Sequence, residues 1–156
     1  MSIPKVIHYC WFGKGKMPKL AQKCIKSWKK YCPEMKLHAS TQMAIHNAAG
    51  AKQAEELGFE RIVLARELSA SEIKKIAEST TAEIEVFVHG ALCMCMSGQC
   101  LLSAMLGGRS GNRGKCAQPC RLSYHSGDGK DKFYLSLKDM SLAGHLEKLQ
   151  SIGVAS

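Results

Sequence analysis

The chain has 156 residues, 46% of them apolar, and a formal charge of +9, enough for one ordinary buried core. No apolar run approaches the roughly 18 residues needed to cross a bilayer, because Lys, Glu or His interrupts each one, so a soluble cytoplasmic protein with no membrane partner is expected. Charge is uneven: residues 1–36 carry nine Lys against one acidic residue, residues 37–92 five basic against eight acidic, and residues 93–156 eight basic against four acidic. Both outer thirds are thus suited to phosphates or nucleic acid, and the middle third to a solvated scaffold.

In chain order, Val6 to Phe12 is a β-branched and aromatic run closed by Gly13-Lys14-Gly15, and reads as a strand. Pro18 opens a helix to about Tyr31, with Leu20, Cys24, Ile25 and Trp28 on one face, and Pro33 stops it. A second helix is expected from Thr41 to Leu57, capped by Ser40 or Thr41 and ended by Gly58. Arg61 to Ala65 follows as a strand, Ser69-Ala70-Ser71-Glu72 begins a helix with capping-box chemistry, and Ile84 to Val88 is another strand. A short helix near Gly98 to Met105, a glycine-rich loop from Gly107 to Gly114, a strand from Phe133 to Leu137 and a helix from Lys138 to Ile152 complete the chain. Such alternation implies an α/β fold with a mostly parallel sheet. Val154-Ala155-Ser156 reads as the start of a further strand, and four or five βα units fall short of the eight of a closed barrel, so an incomplete fragment is expected. Its open strand edges would favour an oligomer or aggregate.

Five of the eight cysteines, Cys93, Cys95, Cys100, Cys116 and Cys120, lie within 28 residues. The chain starts Met1-Ser2-Ile3-Pro4-Lys5 with no apolar leader, so a reducing compartment is expected, where clustered thiols bind metal or do redox chemistry more often than they form disulfides. Zinc and iron–sulfur clusters both suit thiolates, although spacings of seven and sixteen residues are not the Cys-x-x-Cys pairs of zinc ribbons. The adjoining loop, Gly107 to Lys115, has four glycines and three basic side chains, so its backbone and Arg109 and Arg113 suit phosphate oxygens; Asn112 and Arg121 join them as candidate anion- or RNA-binding residues. It lacks the Gly-Lys-Ser/Thr of a Walker loop. No His-Glu-x-x-His is present, and Cys93 with His89 matches no local cysteine-protease signature.

The run Glu85-Val86-Phe87-Val88-His89-Gly90-Ala91-Leu92-Cys93, followed by Gly98-Gln99-Cys100-Leu101-Leu102-Ser103, resembles the signature of the collagenase-like peptidase family of unknown catalytic type. The likeness extends through His38 to Met43, Leu64 to Leu68, Gly107 to Gly114 and Cys116 to Arg121, over about residues 36–156. It implies a (β/α) TIM-type barrel. It also implies two activities, since the family includes proteins named as proteases, hence hydrolases of peptide substrates, and others that hydroxylate tRNA or rRNA bases. The second group and its ubiquinone-hydroxylating relatives carry an iron–sulfur cluster on cysteines, and the RNA branch uses prephenate. By that resemblance Cys93, Cys100 and Cys116 are ligands of a 4Fe-4S cluster, with either Cys95 or Cys120 standing in for the fourth or the ligand set left incomplete; zinc is the alternative. Barrel enzymes place working groups at the C-terminal ends of strands, which nominates His38, Arg66, Glu67 and His89 as catalytic.

Residues 1–35 are expected to form a separate βα unit. Ile3 to Gly13 with Lys23 to Pro33 resembles the opening of capsular-polysaccharide-type glycosyltransferases, but no Asp-x-Asp pair is present to hold a metal-bound diphosphate. The expectation is therefore a junction near Glu34 to Lys36 and no glycosyl transfer. RNA-base hydroxylation by the intact relative fits the cysteines and basic loop better than proteolysis does, with an inactive fusion fragment as the further alternative.

Overall fold

The computed structural model describes residues 6–9, 19–127 and 129–156. The expected strand end at Cys10 to Phe12 and the Pro18 helix start lie outside these residues. Strand β1 (Val6–Tyr9) leads to helix α1 (Lys19–Tyr31), and β2 (Lys36–Ala39) to α2 (Ala48–Glu56). Strand β3 (Arg61–Val63) is followed by α3 (Ala70–Ala77) and β4 (Glu83–Glu85). These four strands form one parallel sheet in the order β1-β2-β3-β4. The register Val6↔Lys36 to Tyr9↔Ala39 places the first strand in the same sheet as the segment beyond residue 35.

Hydrophobic strands covered by amphipathic helices account for the core. Leu37, Ala39, Ile62 and Ile84 from the strands pack with Ala51 and Ala54 of α2 and Ile73 and Ile76 of α3. Helix α3 has the expected capping box: the Ser69 hydroxyl accepts from the Glu72 amide, and the Glu72 carboxylate accepts from the Ser69 amide. Beyond β4 the chain changes character. Strand β5 (His89–Gly90) pairs antiparallel with β8 (Met140–Ser141), and β6 (Tyr124–His125) with β7 (Asp131–Lys132), around the short helix α4 (Leu102–Gly107). Helix α5 (Leu146–Ser151) then returns the chain to the sheet, where Val154 bridges Ile84 in parallel and the Val86 amide donates to the Ser156 carbonyl at 3.0 Å. The expected strand start at Val154 is thus in place.

The α/β character and the parallel sheet are present, and among the described residues four strands and a bridge form an open sheet with no closed barrel. Local details also differ from expectation. The second helix starts at Ala48 because Ala44 adopts a left-handed conformation (φ 51°) and the Asn47 side chain, in place of Ser40 or Thr41, caps the helix by accepting from Gly50 N–H at 2.8 Å. Phe133 to Leu137 is not a strand: the Ser136 amide donates back to Phe133, and Arg121 holds the Ser136 hydroxyl and the Leu137 carbonyl, removing ladder partners. The last helix begins at Leu146 instead of Lys138, since Met140–Ser141 is drawn into the ladder with β5 and the Leu142 amide donates to the Val88 carbonyl at 2.7 Å. Among the described residues no helix is long and apolar enough to cross a membrane.

A candidate thiol-lined cleft

Past the C-terminal ends of β2, β3 and β4 lies a cleft of about 270 Å³. Thr41 and Gln42 reach it from the turn after β2, Arg66 from the turn after β3, and Ala91, Leu92 and Cys93 from the segment after β4 and β5. Open parallel sheets bind ligands at this end, because the loops there converge while the strands stay fixed. Cys100, Cys116 and Cys120 complete the lining together with Asn112, Gln118 and Arg121.

Several contacts hold these loops in place. Ser97, 2% exposed, donates its amide (2.8 Å) and hydroxyl (3.0 Å) to Oε1 of Glu67, and its hydroxyl accepts from the Arg66 amide at 3.2 Å. Gly98 passes so close to the Gln42 backbone that only a residue without a side chain fits, and its carbonyl accepts from Nδ2 of Asn112. Gly111 differs: a Cβ there would meet Cys116 at an ordinary contact distance of 3.5 Å. Arg121 donates to the carbonyls of Leu92 (2.6 Å) and Leu137 (2.8 Å), stapling the Cys120 turn to the Cys93 segment.

Two sulfurs already receive hydrogen bonds. Nη1 of Arg66 lies 3.5 Å from Sγ of Cys93, and the Gln118 amide donates to Sγ of Cys116 at 3.3 Å. Burial pushes the Cys120 thiol above its usual value; Arg121 opposes this, while Cys116 and Cys93 reinforce it. The Cys120 thiol is thus held in its neutral form by burial and by the neighbouring sulfurs, and a bound cationic centre would offset both. The donor set therefore fits a metal centre in its chemistry. Among the described residues, however, no group of three His, Cys, Asp or Glu is arranged to hold a metal ion. The seven described cysteines are free thiols.

The four expected metal ligands, Cys93, Cys100, Cys116 and Cys120, all line this cleft, whereas Cys95 does not. Of the expected catalytic set only Arg66 lines it. Glu67 stands behind it as the Ser97 acceptor, and His89 pairs across a two-residue ladder with Ser141. His38 is buried in β2, close enough to Glu83 to help lower that carboxyl, behind the larger effect of Arg61. Asn112 and Arg121 line the cleft; Arg109, which donates to the Lys115 carbonyl at 3.1 Å, and Arg113 are exposed beside it. Thr41, Gln42 and Gln118 were not anticipated, although Thr41 and Gln42 directly follow a strand and satisfy the rule that nominated Arg66.

Among the described residues, an open parallel α/β sheet thus carries a thiol-lined cleft beyond its strand ends. Residues 22–156 match the model of peptidase family U32, and the chain belongs to that family. The match begins within α1 and so overlaps the segment compared above with glycosyltransferases. The chain is 45% identical over 130 residues to the 23S rRNA 5-hydroxycytidine C2501 synthase of Escherichia coli, covering 80% of this chain and 20% of that protein. It is 36% identical over 144 residues to tRNA hydroxylation protein P1 of Bacillus subtilis, covering 85% and 34% respectively. It is also 34% identical over 139 residues to a Porphyromonas gingivalis protein named collagenase, covering 77% and 33%. The chain thus spans between a fifth and about a third of the length of these curated relatives. No solved structure matches it.

Proposed function

We propose that this chain is the sulfur-bearing segment of an RNA-base-hydroxylating enzyme of the family. The observation that carries this reading is the meeting of Cys93, Cys100, Cys116 and Cys120 in one cleft beyond the strand ends. Four soft thiolates around one cleft are the donor type that an iron–sulfur centre takes, and their sequence spacings are not the Cys-x-x-Cys pairs of zinc ribbons. Bound there, such a centre supplies one-electron transfer. The protein's own part is to hold the sulfurs through Arg66 and Gln118, and to tie the Cys120 turn to the Cys93 segment with the Arg121 staple.

RNA is the preferred substrate because relatives named for rRNA and tRNA hydroxylation match the chain over four-fifths of its length or more, and because Arg109, Arg113 and Lys115 stand exposed beside the cysteines. Prephenate is retained as the companion metabolite, its carboxylates being suited to the guanidinium of Arg66. A peptidase would want a base beside its nucleophile; Cys93 is met by Arg66, and among the described residues His89 makes no hydrogen bond to it.

The test is iron, sulfide and zinc analysis of protein purified without oxygen, with the visible spectrum recorded alongside. Iron and sulfide in near-equal amounts, lost together in Cys93→Ser, are expected. Zinc alone, or gelatin cleavage that disappears in Cys93→Ser, would overturn the reading.

A further inference from the structure

Phe87 is an aromatic residue without a structural task. It lies in the segment between β4 and β5, where its neighbours Val86 and Val88 pack against the core while the Phe87 side chain is 43% exposed. The guanidinium of Arg66 lies over the Phe87 ring, 4.4 Å from its centroid, and the same guanidinium lines the cleft and touches Sγ of Cys93. Among the described residues it meets no carboxylate, and the adjacent Glu67 is occupied by Ser97. The backbone at Arg66 is itself pinned by the Ser97 hydroxyl. A cation that lines the cleft thus lies over an exposed ring beside it, and among the described residues that cation meets no carboxylate.

We propose that Phe87 and Arg66 form a stacking platform that receives an unpaired RNA base at the mouth of the cysteine cleft. The inference rests on the RNA reading above and adds the recognition element. Aromatic rings and guanidinium planes are the groups on which splayed RNA bases stack, and the free charge of Arg66 complements the attached phosphate. Two contributions are therefore separable: Phe87 recognises the base face, whereas Arg66 contributes both face and charge.

Separation of these contributions is the experiment. The full chain is titrated with a short oligouridylate and with an abasic ribose-phosphate strand of the same length. Phe87→Ala is expected to weaken oligouridylate binding roughly tenfold and to leave the abasic strand unchanged. Phe87→Tyr should restore the affinity, and Phe87→Trp should bind with quenching of the new indole. Arg66→Gln should weaken both strands. Equal loss on both strands in Phe87→Ala, or no loss on either, overturns the platform. If the unsubstituted chain binds neither strand, the RNA reading falls with it. Binding with the expected pattern but without iron or sulfide would sink the cluster and keep the platform.

Discussion

Replacing Gly98 by alanine tests whether the cleft depends on one close backbone approach. Gly98 has φ +72°, and a Cβ there would lie 2.8 Å from the Gln42 carbonyl oxygen and 3.1 Å from the Gln42 carbonyl carbon and Cα. These are backbone atoms of the turn after β2, which cannot swing aside as a side-chain tip can. Gly108 provides the control: its φ is +67°, but nothing lies within 4 Å of a Cβ built there. Gly108→Ala should therefore cost only the left-handed conformation, about 1–2 kcal/mol. Gly98→Ala adds the overlap, roughly another 1–3 kcal/mol for forced backbone displacement. At about 2–4 °C per kcal/mol for a domain of this size, the midpoint of thermal unfolding should fall about twice as far in Gly98→Ala as in Gly108→Ala. Displacing the loop also moves Cys93 and Cys100 away from Cys116 and Cys120, so thiol-reagent labelling of the first two should accelerate and iron loading should drop in Gly98→Ala alone. Equal midpoints and equal labelling in the two variants would refute the close approach as the element that shapes the cleft.

Ile84, 1% exposed, pairs with Ile62 on β3 and bridges to Val154, so Ile84→Ala should lose about 2–5 kcal/mol in urea unfolding with an unchanged slope. Arg61 should shape the acid limb of stability: it donates to Glu83 at 2.6 and 2.8 Å and holds that carboxyl below its ordinary value of 4.5. A carboxyl lowered in the folded state contributes stability fully present above pH 4.5 and lost as pH falls below it through the depressed value. Arg61→Gln should accordingly melt lower near neutral pH and converge with the unsubstituted protein in acid; a constant gap across the titration would show that the pair contributes nothing pH-dependent.

The parts of the fold readable in the sequence are those where local pattern and tertiary packing agree. The capping box at Ser69–Glu72, the turn at Gly58 with φ +88° and the returning strand at Val154 each depend on residues close in the chain or on simple alternation, and each is present. The helix at Lys138 and the strand at Phe133 failed because distant groups took their backbone partners. Arg121 claims Leu137, and Val88 claims Leu142; neither contact leaves a trace in the local sequence. The Asn47 cap was legible in principle, as Asn is a strong capping residue, but the run from Thr41 disguised the break at Ala44.

The cleft divides along the same physical line. Clustered cysteines are conspicuous in sequence, and Cys93, Cys100, Cys116 and Cys120 all line one cleft; single histidines are not informative, and neither His38 nor His89 lines it. A strand-end position brings a residue to the correct end of the sheet, but whether its side chain reaches the cleft depends on what the next turn does with it. Arg66 and Glu67 make the distinction concrete. Adjacent in the chain, they turn to different tasks because Ser97 captures the carboxylate and leaves the guanidinium to lie between Phe87 and Cys93. Ser97→Ala would remove only the hydroxyl half of that capture, because the backbone amide of residue 97 still donates to Glu67. The Arg66 stack is therefore a consequence of a hydrogen bond made thirty residues further along the chain, from the same loop that carries Cys93 and Cys100. That one loop brings Cys93 and Cys100 to the cleft and holds Glu67 beside Arg66, so its disruption should disturb the cleft thiols and the Arg66–Phe87 contact together.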